Sequence, residues 1–404
     1  FGLADIGSRT NITNLVSSTG VVATDTTGVG TARTGLAAAG YGGDKALFGF
    51  GFIGNIRTSI TNLVSNLGVV ASDSTGVGTA RLKLAASGFG GDKAIFGFGN
   101  GTSTGSSGYN NVTNLVSNVG VVASDTTGVG SARGDLAAAG YGGDKAIFGY
   151  GLKSGSSNNF RVSITNLVSN TGVVATDTTG VGTARLGLAA SGFGGDKAIF
   201  GFGNGTSTGS GYNNVNNLVS NVGVVASDTT GVGSARGDLA AAGYGGDKAI
   251  FGYGLKSGSS NNFRVSITNL VSNTGVVATD TTGVGTARFR LAAAGYGGDK
   301  ALFGYGDTGN NSSGYYHSMT NLVSNTGVVA TDTTGVGTPR IQLAAAGYGG
   351  DKAIFGFGFN EADYNRSDFN VTNLVSNTGV VASDQTGVGK IRSYLAAAGY
   401  STTA

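Results

Sequence analysis

One segment recurs along the whole chain: Thr-Asn-Leu-Val-Ser-Asn-Thr-Gly-Val-Val-Ala-Thr-Asp-Thr-Thr-Gly-Val-Gly-Thr-Ala-Arg, followed by Leu-Ala-Ala-Ala-Gly-Tyr-Gly-Gly-Asp-Lys-Ala-Ile-Phe-Gly-Tyr-Gly. Its Asn-Leu-Val-Ser step falls at Asn14, Asn62, Asn114, Asn166, Asn217, Asn269, Asn321 and Asn373, at spacings of 48, 52, 52, 51, 52, 52 and 52 residues. A fixed period near fifty residues marks one supersecondary unit that cannot bury its apolar face alone and stacks on its neighbours to do so. The repeat fills all 404 residues without a linker, so a single domain spanning 1–404 is expected.

Composition narrows the chemistry. Cysteine is absent, which removes disulfides and thiolate metal sites. Gly is very high at 77, but with no Gly-X-Y period and only Pro339, collagen and polyproline are excluded and glycine marks turns instead. Each copy carries an Arg after Gly-Val-Gly (Arg33, Arg81, Arg133, Arg185, Arg236, Arg288, Arg340, Arg392) and an Asp after the Val-Val step (Asp25, Asp73, Asp125, Asp177, Asp228, Asp280, Asp332, Asp384). Seven copies add an Asp-Lys pair, so the repeated framework is electrically neutral and the net charge of +3 comes from scattered variable positions. No polybasic run marks a nucleic-acid partner. No apolar run approaches the roughly 18 residues of a membrane span, and no signal peptide is visible. Phe1 is not a translation start, so the chain is expected to be processed or to continue before it.

Four strand-like pieces can be read in each copy, for example Leu186–Ser191, Lys197–Gly203, Val215–Ser220 and Val224–Asp228. They are short, rich in Val, Ile, Leu, Phe or Ala, and bounded by Gly, Asn or Asp. A glycine turn separates the first two, and Asn221-Val222 has the length of a hairpin loop between the last two. No stretch between glycines is long enough to nucleate a helix in water. The reading is an all-β chain: an eight-bladed β-propeller of four-stranded antiparallel blades. The chain stops after one inner strand, Tyr394–Ala398, and begins with Phe1-Gly2, which matches the end of the second strand elsewhere. The eighth blade is therefore expected to be shared by the two termini, whose pairing closes the ring and removes open edges. A right-handed β-solenoid is the alternative fold.

The run Thr338-Pro339-Arg340-Ile-Gln-Leu-Ala-Ala-Ala-Gly-Tyr-Gly-Gly-Asp351-Lys352-Ala-Ile-Phe355-Gly-Phe-Gly resembles the kelch repeat. In that family an Arg opens the inner strand, small residues follow, and the second strand ends in glycines. The aromatic usual on that family's outer strand is missing here. Highly similar tandem repeats also look like those of uncharacterised structural proteins of tailed phages. The kelch resemblance implies a fold and says little about function.

Enzyme chemistry finds few candidates. Copper oxidases of the galactose oxidase kind need two His and a Cys, whereas His317 is the sole histidine. One His cannot build a transition-metal site. Ala-Ser-Asp-Thr-Thr-Gly-Val-Gly, from Ala123, is superficially similar to a sialidase Asp box but lacks its Trp and spacing. It also lacks the alternating ligands of a calcium loop. The framework Asp is read as tying off a turn and pairing with the framework Arg. Gly-Val-Gly-Thr-Ala-Arg lacks the ending of a phosphate loop. A polysaccharide hydrolase would draw its two carboxylates from Glu361, Asp363 and Asp368, which share one loop. No catalytic residue, cofactor or metal is expected.

The copies differ in two places. One is the pair after the framework Arg: Thr34-Gly35, Leu82-Lys83, Gly134-Asp135, Leu186-Gly187, Gly237-Asp238, Phe289-Arg290, Ile341-Gln342 and Ser393-Tyr394. The other is the long segment between the second and third strands. Antiparallel alternation places both on one edge of every blade, opposite the uniform Gly-Tyr-Gly-Gly-Asp-Lys turns. Lys83, Asp135, Asp238, Arg290, Gln342 and Tyr394 are expected to ring the central axis, with Tyr109, Phe160, Tyr212, Phe263, Tyr316 and Phe369 further out. Loops on a rigid scaffold carry binding. The expected function is a non-enzymatic virion or extracellular surface protein whose variable face binds a glycan or protein on a host surface, or other virion proteins, with no nucleic acid and no membrane insertion. A purely architectural role, with the uniform face docked on an assembly, is the alternative.

Overall fold

The computed structural model describes residues 2–5, 8–11, 30–53, 56–67, 69–101, 108–126, 128–153, 160–178, 180–205, 211–229, 231–256, 263–309, 315–348, 350–362, 365–369 and 371–385. Among them there is no helix, and the recurring element is a three-stranded antiparallel sheet. In the fourth module the sheet comprises Ala189–Phe193, Lys197–Gly201 and Asn216–Val219. Its register pairs Ala189 with Gly201, Phe193 with Lys197, and Ala198 with Val219. The same sheet recurs six more times among the described residues, with first strands opening at Ala37, Ala85, Ala137, Ala240, Ala292 and Ala344.

Backbone geometry trims the strands expected from sequence. The first begins at Ala189, because Gly187 takes a left-handed φ of 59° that breaks the extended run. The second stops at Gly201, because Phe202 is left-handed at φ 60°. The hairpin after the third strand has three residues, Asn221 to Gly223, closed by a bond from the Ser220 amide to the Val224 carbonyl. The expected fourth strand is a correction. It contributes a single bridge, Val219 with Val225, flanked by a bond from the Ala226 amide to the Leu218 carbonyl. Two residues on, the Asp228 carboxylate turns to the amide and hydroxyl of Thr183, and the segment leaves the ladder to make those bonds.

Each core is shared by two modules. Side chains alternate across a strand, so Ala198 and Phe200 pack backward on Ala139, Tyr141, Ile147 and Tyr150, while Ile199 packs forward on Ala249, Phe251 and Val271. Both faces of the second strand are thereby buried, which is why it reads as an unbroken apolar run. Glycine at its end is obligatory. A Cβ on Gly97 would lie 2.8 Å from Cζ of Phe148 in the next module. The Gly-Gly-Asp turns are chained as well: Gly90 donates to the Asp144 carbonyl, Gly142 to Asp196 and Gly194 to Asp247, each at 2.5 Å. The N-terminal hairpin, Gly2–Asp5 with Ser8–Thr10, lies beside the strand Asn365–Asp368 of the last full module. The architecture is all-β, built from repeated three-stranded sheets, and compatible with a repeat β-propeller.

Candidate functional site

The framework charges form a structural lock. Arg185 is wholly buried. It donates to the Thr183 carbonyl at 2.9 Å and to Oδ1 of Asn217 at 2.6 Å, with Asp228 more distant at 3.8 Å. Its guanidinium lies 4.2 Å from the centre of the Tyr150 ring, in the preceding module. Asn217 in turn donates to Asp228 at 3.0 Å. The expected pairing with Asp is present as the longer contact. The Asn of Asn-Leu-Val-Ser is the closer partner, and it was missed as a functional position although every copy carries it. The stacked aromatic is itself strained: Phe50, Phe98, Tyr150, Phe202, Tyr253, Tyr305 and Phe357 all have φ between 60° and 66°. Burial of the ring between Arg and the next module's Phe, such as Tyr150 against Phe200 at 5.3 Å, offsets that strain.

Both variable places gather into a second, smaller sheet at one edge of each module. Gly134 pairs with Leu152, and Leu152 with Arg161. Leu82 bridges Asn100, which bridges Tyr109, and Phe289 bridges Asp307, which bridges Tyr316. The second residue of each variable pair is left-handed: Lys83, Asp135, Asp238, Arg290 and Gln342 have φ of 57°, 53°, 51°, 54° and 51°. Their side chains meet across modules. Lys83 and Asp135 form an ion pair at 3.1 Å, and the positive charge of Arg290 acts on the Asp238 carboxyl. Asp238 is exposed by area, yet the atoms crowded around its carboxyl raise its pKa through desolvation, with Arg290 opposing.

The outer aromatics divide into two kinds. Tyr109 and Tyr212 are partly buried, each against the glycine that opens the next module's variable pair, Gly134 and Gly237. Phe160 and Phe263 are 46% and 54% exposed. Tyr316 and Phe369 are partly buried, and Tyr315, which is not among the aromatics expected to bind, is 46% exposed. Arg57, Arg161 and Arg264 tie neighbouring hairpins together through carbonyls of Asn100, Asn204 and Gly309. Tyr394 and Asp363 lie outside the described residues, as does the C-terminal strand expected at Tyr394–Ala398. Glu361 and Asp368 sit on the paired strands Phe359–Ala362 and Asn365–Asp368.

At the opposite, uniform end, a cavity of about 1180 Å³ is lined by the same turn from seven successive modules, including Tyr41, Phe89, Tyr141, Phe193, Tyr244 and Tyr296. Its lysines are paired with the adjacent Asp, Lys145 with Asp144 at 3.2 Å for example. His317 contacts the Thr308 hydroxyl at 2.9 Å, and desolvation followed by the Arg288 charge lowers its pKa. Among the described residues no cluster of His, Cys, Asp or Glu could hold a metal ion, and no helix is long and apolar enough to cross a membrane.

No family model matches the chain, and no curated protein matches it. Among solved structures, one titled "Structure of YjhT" is similar at 11% identity over 72% of this chain and 95% of that one, with a TM-score of 0.47.

Proposed function

We propose that the chain is an eight-bladed, kelch-like β-propeller closed by its termini, acting as a non-enzymatic recognition scaffold. It binds a glycan or protein partner at a virion or extracellular surface through its variable edge. The observation that carries this reading is the gathering of the described variable positions onto the small sheets at one edge, where Phe160, Phe263 and Tyr315 stand exposed and Lys83 pairs with Asp135. Rigid aromatics among Asn, Ser and Gly are the chemistry of adaptable recognition surfaces. The ring is supported by the cavity common to seven modules and by the N-terminal strand beside the last hairpin. Deleting residues 392–404 is then expected to expose sheet edges and cause aggregation; a truncated chain that stays monomeric with unchanged melting argues against closure.

The test is an array of immobilised oligosaccharides and candidate surface proteins probed with wild type, with F160A/F263A/Y315A and with Lys145→Ala. Binding that disappears only in the triple variant supports the reading, and binding that survives it overturns the reading. The alternative is an architectural role, favoured by the seven-fold lining of the uniform-end cavity. Imaging of a native assembly separates the two by showing which face is covered.

A further inference from the structure

One corner of the variable edge departs from its sister modules. The position that starts the outgoing arm of each long hairpin is Asn100 in one module and Asn204 in another, and it is Asp307 in a third. Asp307 is 1% exposed. Its Oδ1 accepts the Gly309 amide at 2.6 Å, while its Oδ2 is buried without a hydrogen-bond partner. Oδ1 of Asn100 has no hydrogen-bond partner either, and Asp307 places a carboxylate at that position.

A buried carboxylate with one oxygen unsatisfied costs more stability than an amide with one oxygen unsatisfied at the same place. Desolvation raises the Asp307 pKa, with Gly309, Arg264, Arg290 and His317 opposing in that order. The surroundings are assembled around it. Arg264 donates to the Gly309 carbonyl, and the Tyr315 ring lies against Gly309. Phe289, paired with Asp307, is contacted by Arg264 and Arg290, whose guanidinium carbons lie 4.9 and 4.8 Å from its ring centre. Arg290 and Tyr315 are exposed.

We propose that Asp307, Arg290 and Tyr315 form an asymmetric subsite for a neutral, hydroxyl-rich ligand, a glycan residue. The proposal rests on the reading of the variable edge as a recognition surface and names its ligand class. Two guanidinium groups beside the carboxylate disfavour a cation, and the carboxylate disfavours an anion. A vicinal diol suits both: one hydroxyl donates to Oδ2 of Asp307, Arg290 donates to its neighbour, and the Tyr315 ring takes the apolar face of the sugar. Arg290, resting on Phe289, is the side chain placed to yield as the ligand enters.

Asp307→Asn, Arg290→Ala and F160A/F263A are compared with wild type by thermal melting and on an array of immobilised neutral oligosaccharides. Asp307→Asn is expected to melt higher than wild type, because it restores the amide of Asn100 and Asn204, and yet to bind at least tenfold more weakly. Arg290→Ala is expected to bind more weakly with unchanged melting. Asp307→Asn that melts lower makes the carboxylate structural and overturns the proposal. If F160A/F263A abolishes binding while Asp307→Asn and Arg290→Ala do not, the subsite is wrong and the recognition surface stands. If Asp307→Asn and Arg290→Ala abolish binding while F160A/F263A does not, the subsite stands and the broader surface is wrong. Wild type that binds no oligosaccharide overturns the glycan class outright.

Discussion

Nη2 of Arg185 lies 2.6 Å from Oδ1 of Asn217, and both residues are fully buried. A neutral amide and a backbone carbonyl thus hold the guanidinium closer than Asp228 does, and the face of Tyr150 stacks on it. The arrangement keeps the charge hydrogen-bonded at low solvent access, while Asp228, with 26% of its side chain exposed, supplies the countercharge from the water side. Burial lowers the Arg185 pKa, with Tyr150 and Asp228 opposing.

Removing Arg185 leaves Oδ1 of Asn217 without its donor, strips Asp228 of its countercharge and opens the wall shared with the preceding module. Arg185→Ala is expected to cost about 3–5 kcal/mol, the range for breaking a buried charged pair. Asn217→Ala strands a buried guanidinium N–H and is expected to cost about 1–3 kcal/mol. Chemical denaturation measures both, and an unchanged midpoint for Arg185→Ala would place this Arg outside the load shared by the modules.

Overpacking tests the interface between modules. A methyl on Gly97 would meet the Phe148 ring at 2.8 Å, inside any real carbon contact. Gly97→Ala is expected to destabilise by about 1–3 kcal/mol. Combining it with Phe148→Leu should recover part of that loss, because the obstructing ring is gone. Full additivity of the two changes would separate the residues.

The left-handed variable positions make a prediction of opposite sign. Lys83 and Asp135 occupy φ of 57° and 53°, where sister modules place Gly35 and Gly187. Their mutual ion pair is partly exposed and worth roughly 0–1 kcal/mol. A non-glycine left-handed residue costs on the order of 1–2 kcal/mol. The double change to glycine is therefore expected to hold or raise the melting temperature. A clear drop would mean that the pair does more than bridge two modules.

Much of this was legible in the chain. The repeat gave the module, short apolar runs between glycines gave three strands, and antiparallel alternation put the variable pair and the long segment on one edge. The pairing of the framework Arg with the framework Asp was legible too, and Arg185 meets Asp228 at 3.8 Å as the longer of its contacts. Other features were hidden for physical reasons. Asn217 looks like a strand residue, and only the fold brings it to a guanidinium 32 positions away. Phe202 reads as the end of a strand, because nothing local announces a left-handed aromatic held by neighbours distant in sequence. The fourth strand failed because Asp228 prefers a side-chain bond to Thr183 over the ladder. Asp307 is one of the scattered acids outside the repeated framework. Comparison with Asn100 and Asn204 could have singled it out, but its burial could not be read from the sequence.

Alkaline titration distinguishes modules that differ by one hydroxyl. Desolvation pushes Tyr150 and Tyr305 up to about 12, with the nearby Arg opposing, and Tyr253 is raised further. An unfolded Tyr ionises near 10. Between about pH 10 and 12 the unfolded chain therefore loses protons that the folded chain keeps, and stability falls as pH rises. Each tyrosine contributes on the order of 2 kcal/mol across that window. Sister modules carry Phe50, Phe98 and Phe202 at this place. The triple change Y150F/Y253F/Y305F is expected to flatten the decline, read as denaturation midpoints from pH 9 to 12. Parallel curves for wild type and variant would show that these hydroxyls are not the titrating groups.

The two ends of the molecule make the last prediction. Phe160 and Phe263 occupy equivalent places in nearly identical modules and are 46% and 54% exposed, so each buries little in the free protein. Interfaces concentrate their energy in a few aromatic and Arg positions. Arg290→Ala and Phe263→Ala are each expected to weaken partner binding by about 2 kcal/mol with little change in melting. Lys145 lines the opposite cavity and is paired with Asp144 at 3.2 Å. Lys145→Ala is expected to leave both binding and stability near wild type, since a half-exposed pair is worth roughly 0–1 kcal/mol. Loss of binding in Lys145→Ala, with Arg290→Ala and Phe263→Ala unaffected, would move recognition to the uniform end and make the variable edge a surface that merely drifted.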